Sequence, residues 1–164
     1  MELISLVVWF VIWAPLVALL EYGAHRWIQH LGSRILDPKL EHLRDHGAHH
    51  RGADDHTFVD VPLRDSVLIA SPMFALLAAW GLAAGELAAV ATPGAALLIW
   101  IFLHTYLWTR IHRAIHGIEA NWFARTGPLL RFYRARHLQH HANARVNFGA
   151  VFPWTDYLFL TARS

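Results

Sequence analysis

The sequence predicts an all-α integral membrane protein: about three transmembrane helices with a His-rich helical cap on the cytoplasmic side. Three observations predict it. Hydrophobic residues make up 55% of the 164 residues and charged residues only 16%, against ~45–50% and about 25% in a soluble domain. The apolar residues collect in three long runs, while charges and histidines collect between and after them. The chain holds 13 His, a single Lys and no Cys. Imidazole on that scale points to metal, and the missing Cys removes disulfides, thiolate metal sites, iron–sulfur clusters and cysteine nucleophiles. The length fits a single domain, 1–164.

The first run, Leu3–Leu20, is 18 uncharged residues, about 27 Å of helix and enough to cross most of a bilayer core. It reads as a span rather than a cleaved leader, because Glu2 precedes it in place of a basic region and no small-x-small site follows. Pro15 within it predicts a kink. Ser66–Leu82 is the second run and Leu87–Trp108 the third. Gly85 and Glu86, then Pro93 and Gly94, punctuate them, so the pair reads as a membrane hairpin with its loop over 82–94 and a third span that starts as late as Gly94.

All 14 basic residues lie in 21–65 or 109–164, and the N-terminal stub and hairpin loop have none. Three spans put those two segments on one side, which the positive-inside rule makes cytoplasmic. Such a basic face also suits anionic headgroups. Nucleic acid is not expected as a partner of a chain anchored this way.

Twelve of the 13 His fall in the same two segments, and His104 sits near the end of the third run. Asp37 as N-cap and Pro38 at the first helical position predict a helix over 38–51, stopped by Gly52. On it, His46, His49 and His50 have the spacing i, i+3, i+4, which places them on one face. His137, His140 and His141 repeat that spacing, and His112 and His116 share a face at i, i+4. His25 and His30 differ: five residues put them about 140° apart on a regular helix. They converge only if that stretch forms a π-type turn or unwinds. Ten imidazoles exceed what one ion needs and suit two. No Glu-x-x-His motif occurs, which separates this pattern from carboxylate-rich di-iron bundles.

The remaining polar residues receive lesser roles. His42, four residues before His46, serves as a ligand or as a hydrogen-bond partner of one. His56 and His104 read as structural. Asp45 and Asp55 orient imidazoles or sit in solvated loops. Asn147 and Asp156 read as turn or cap residues, and the eight Trp as interface and packing residues.

Taken together, the four His clusters resemble the fatty acid hydroxylase/sterol desaturase superfamily over roughly residues 20–161. The second cluster, with its upstream His42 and Gly47, is similar to that of fatty acid 2-hydroxylases, and Asp55 and Pro62 follow at family-like distances. Trp108, His112, Arg113 and His116 resemble the sterol desaturase branch. Asn147, Phe148 and Gly149, then Trp154, Asp156 and Thr161, look like the family's ending, although Thr155 separates Trp154 from Asp156 here.

The resemblance implies an integral membrane oxygenase with two Fe ions (or Zn in their place in the protein as isolated) held by His25, His30, His46, His49, His50, His112, His116, His137, His140 and His141. It implies O₂-dependent hydroxylation of a membrane lipid or fatty acyl chain; sterol desaturation or carotenoid hydroxylation is the alternative. The ten Gly form no G-x-G-x-x-G loop and no haem-attachment motif occurs, so electrons are expected from a separate ferredoxin or cytochrome b5-type donor. A non-enzymatic metal transporter would need ligands at mid-membrane depth, where the runs are nearly free of polar residues.

Overall fold

A computed structural model describes residues 2–30, 46, 49, 50 and 60–163. The expected helix over 38–51 as a unit, together with His42, Asp45, Asp55 and His56, lies outside the described residues. Among the described residues the chain is helical and contains no strand. In order these are α1 (Glu2–Gly23), continued by a π-helical segment (Ala24–Gln29), then α2 (Leu63–Ala84), α3 (Ala91–Ile115), α4 (Pro128–Ala142) and α5 (Trp154–Leu158). Short 3₁₀ turns at Leu87–Val90 and Phe123–Arg125 link them.

Three stretches are long and apolar enough to cross a membrane: Leu3–Gln29, Leu63–Ala84 and Leu87–Ile115. They make the chain a multi-pass integral membrane protein. Their outer faces carry large apolar side chains that water would not tolerate in such density, such as Leu3 (73% exposed), Leu76 (71%) and Leu82 (66%). The inner faces meet in a core of Trp13, Val17, Ala70, Leu77, Leu97 and Ile101. Small residues let the helices approach: Ala70 and Ala96 are buried where the spans meet. In a low-dielectric setting each indole N–H needs an acceptor. Trp13 Nε1 donates to the Pro93 carbonyl at 2.8 Å and Trp100 Nε1 to that of Phe10 at 2.5 Å.

The hairpin is tighter than the sequence reading of 82–94. Gly85 takes φ +68°, its N–H bonds to the Leu82 carbonyl and that of Glu86 to the Gly81 carbonyl. This pairing closes a helix through a left-handed residue that favours Gly. Pro93 and Gly94 do not delay the third span. They lie in the first turn of α3, where backbone N–H groups have no helical partner, so a proline there loses nothing. At the other end α3 runs past Trp108 to Ile115, which places His112 in its last turn.

Candidate metal centre

Every one of the ten expected histidines is among the described residues, and they gather into two groups. His25, His30, His46, His50 and His140 form one; His49, His112, His116, His137 and His141 form the other. Within each group one ring nitrogen per residue lies within 4.8 Å of all the others. Two such groups, each able to hold a metal ion, stand side by side at the end of the spans.

The backbone explains the convergence. Ala24–Gln29 is π-helical, the departure from α geometry that a five-residue spacing requires, and it brings the His25 and His30 rings into a stack 5.2 Å apart. His112 lies in the last turn of α3 and His116 caps it. His137, His140 and His141 project from α4, which begins at Pro128 and ends at Ala142. His46, His49 and His50 are helical.

The two i, i+3, i+4 triplets each turn one face to the metal groups and divide it between them. In each triplet the i and i+4 members go to one group and the middle member to the other. At 100° per residue, i+4 turns about 40° one way and i+3 about 60° the other. Each triplet therefore straddles two centres instead of serving one.

Ring-nitrogen separations decide what the groups are built for. His25 Nδ1–H donates to the Phe148 carbonyl at 2.5 Å, and His140 Nδ1–H to that of Val146 at 2.6 Å. A neutral imidazole has one N–H and one lone pair, so both rings turn a bare Nε2 inward. Nε2 of His25 stands 2.9 Å from that of His46, and Nε2 of His140 stands 3.1 Å from that of His30. In the second group, Nε2 of His137 lies 3.0 Å from that of His112 and 2.9 Å from those of His116 and His141. One ring nitrogen cannot satisfy three others by hydrogen bonding. The lone pairs share a centre, which fits a cation and nothing neutral.

Burial sets the character of these rings, and for those outside the spans it favours the neutral, ligating form. His25, His49 and His140 are almost wholly buried, as are His46, His112 and His137. Loss of solvent, reinforced by neighbouring imidazoles, pulls His46 and His137 well below the ordinary His value. The same causes lower His30 to about 4 and His50 to about 2. His140 falls to about 3 despite its Val146 bond, and His141 is lowered by burial.

A pH prediction follows. These groups bind protons less readily folded than unfolded, so their stabilising contribution is complete above about pH 6.5 and declines as the pH falls toward about 4 and then 3. Chelator-treated protein should melt at a lower temperature at about pH 4.5 than at about pH 7. An unchanged or higher melting temperature at the acid end would contradict these shifts.

A second layer holds the rings. Val146, Asn147, Phe148 and Gly149 are all buried, and the Phe148 and Val146 carbonyls aim His25 and His140. Asp156, read from sequence as a turn or cap residue, is the anchor of this loop. It is completely buried and accepts bonds from the Phe148 and Gly149 N–H groups, Thr161 Oγ1 and Arg136 Nη2 at 2.7–2.9 Å. Gly149 is required there because a Cβ would meet the Phe152 carbonyl oxygen at 2.5 Å. Asn147, at φ 55°, also does more than turn the chain: its amide bonds the Arg136 carbonyl and Gln139. His104, read from sequence as structural, lines the cavity described below and pairs with Glu21. Its Nε2 stands 2.6 Å from Glu21 Oε2, and Glu21 Oε1 accepts from the Val151 N–H at 2.8 Å.

Beside the first group a cavity opens between α1, α2 and α3. Val17, Leu20, Ile69, Ala70, Ile101 and Trp108 give it an apolar wall. The Trp108 ring sits 5.4 Å from His25 and 6.1 Å from His112, between the metal groups and the cavity. Sequence reasoning did not locate this cavity, since its wall comes from three spans whose apolar residues look alike in sequence.

The profile of a family described as "Fatty acid hydroxylase" matches residues 7–161. No curated protein and no solved structure matches the chain.

Proposed function

The chain belongs to the fatty acid hydroxylase family, and from that premise we propose that it is an O₂-dependent hydroxylase of a membrane lipid or fatty acyl chain. In this reading the ten histidines are the ligands of two iron ions. The observation that carries it is the convergence of two five-imidazole groups beside an apolar cavity between the spans. Nε2 separations of 2.9–3.1 Å are those of imidazoles gathered around a common cation. Imidazole ligands would hold iron, and iron is the ion that would serve an oxidation. Iron when bound supplies the oxidation of an unactivated C–H bond by O₂.

The chain's own residues do the rest. The Phe148 and Val146 carbonyls lock the ring planes of His25 and His140, which keeps their lone pairs aimed inward. The cavity wall excludes water and takes an apolar chain from the bilayer, with Trp108 limiting its approach to the imidazoles. Electrons come from a separate ferredoxin or cytochrome b5-type donor, and the Arg-rich surface suits an acidic one. The second His cluster's likeness to fatty acid 2-hydroxylases supports hydroxylation over sterol desaturation or carotenoid chemistry.

With labelled O₂, a reducing system and a membrane lipid extract, the hydroxyl oxygen of the product should carry the label. Label from water would mean hydration, and a new double bond without oxygen would mean desaturation. His112→Ala and His137→Ala should each lower turnover more than about 100-fold, beyond the usual cost of losing a ligand's hydrogen-bond partner, with helix content unchanged by circular dichroism.

The His groups face the cytoplasm in this proposal. Cysteines placed at Ser33, Thr92 and Ser164 should label asymmetrically, with Thr92 alone reached from outside. Opposite labelling of Ser33 and Ser164 would refute the topology.

A further inference from the structure

The cavity beside the metal groups is apolar with a few polar exceptions, and those exceptions are unequal. Glu21 and His104 satisfy each other and the Val151 N–H. Ser66 accepts from Thr105 Oγ1 at 2.8 Å. His25 uses Nδ1 on Phe148 and turns Nε2 to the metal group. Gln29 differs: the residue is 9% exposed, it lines the cavity, and its Oε1 is buried without a hydrogen-bond partner among the described residues. A buried amide oxygen left unpaired is destabilising. An apolar side chain would serve packing there without that cost.

We propose that Gln29 is the docking group for a hydroxyl on the substrate, so that the molecule taken is a neutral, alcohol-bearing apolar chain. This rests on the hydroxylase reading above. A hydroxyl donates to Oε1, and it also accepts from the amide N–H₂ if the group is turned over. A carboxylate head fits poorly, because it would enter a low-dielectric space already lined by the fully buried side chain of Glu21. Gln29 immediately precedes His30, whereas Val17, twelve residues or about 18 Å back along the same helix, lines the far part of the cavity. The hydroxyl end is therefore held at the metal end with the tail running into the membrane. Oxidation falls near the hydroxyl-bearing carbon and not near the terminal methyl.

The chain has two glutamines, Gln29 and Gln139, which makes the test clean. Zinc-loaded, diamagnetic protein in detergent, labelled with ¹⁵N at glutamine side chains, is titrated with hexadecan-1-ol, hexadecane or hexadecanoate. Gln29→Leu assigns the resonances. The Gln29 amide pair should shift saturably with the alcohol while Gln139 stays put, and half-saturation should need roughly tenfold more alkane, about the ceiling for one neutral hydrogen bond. Gln29→Leu should keep its metal and melt no lower than the parent, yet in a tryptophan-fluorescence titration it should lose that preference. An unmoved Gln29, or hexadecane or hexadecanoate matching the alcohol, would overturn the proposal. In the iron-loaded enzyme, fragmentation of the product should place the new oxygen near the alcohol end; oxidation at the methyl end would overturn the orientation. A selective Gln29 shift with no oxidation of any probe would leave the anchor standing and remove the hydroxylase reading. Oxidation of alcohol and alkane alike with Gln29 silent would do the reverse.

Discussion

Purified protein should carry two metal ions per chain, and His140→Ala should return one after dialysis against a chelator. His49→Ala should also return one, and the double substitution none. His140 belongs to one group and His49 to the other, with no residue shared, so each change removes one site and spares its neighbour. The size of the effect is set by what smaller changes do: losing only the hydrogen-bond partner of a ligand costs about 10–100-fold in metal affinity, and deleting the ligand costs at least that. Elemental analysis reads the count directly. A full complement of two ions in both variants would contradict the assignment of the two groups.

Asp156→Ala should cost about 3–5 kcal/mol of stability, the usual result of removing one partner of a buried ion pair. Arg136 Nη2 lies 2.9 Å from Asp156, with side-chain exposures of 8% and 0%, so the guanidinium would be left charged and unpaired in a dry site. The same substitution frees the Phe148 and Gly149 N–H groups. That loosens the loop whose carbonyls aim His25 and His140, so metal affinity should fall about 10–100-fold as well. Denaturant titration gives the first quantity and competition with a chromophoric chelator the second. Asp156→Asn keeps the volume but presents a donor where an acceptor is needed, and should fall between parent and Ala variant on both measures. Loss of stability with undiminished metal affinity would show that the loop does not position the ligands.

Much of this architecture was legible before any coordinates. Three apolar runs predicted three spans because a bilayer core requires roughly 20 apolar residues in sequence, and local composition is all that requirement consults. The His clusters were legible for a similar reason: i, i+3 and i+4 spacing is a property of one helix. Even the five-residue gap between His25 and His30 carried its own instruction, since only a wider turn reconciles it with a shared centre, and the π-helical segment Ala24–Gln29 provides that turn. The punctuation of the hairpin was harder to read. Pro93 looks the same in sequence whether it breaks a helix or opens one, and only the position of Gly85 as the left-handed cap tells the two apart.

The division of ten histidines between two centres was not legible. Residues 49 and 50 are neighbours in the chain yet belong to different groups, and the choice depends on which way each helix is rotated about its axis. For α4 that rotation is set by packing on α3, where Tyr133 joins the cluster of Trp108, Ile111 and Ile115. Asp156 and Gln29 were hidden for a related reason. A carboxylate in the first turn of a short helix reads as a cap, and nothing in the sequence around Gln29 marks it as a binding group. Their importance comes from burial and from partners far away in sequence. The sequence by itself determined the membrane spans, the metal-binding residue types and their number, because those follow from local composition and helical period. Only the tertiary structure decided which imidazoles share an ion, which carbonyls hold them and where a cavity opens beside them, because each depends on side chains from separate helices meeting in space.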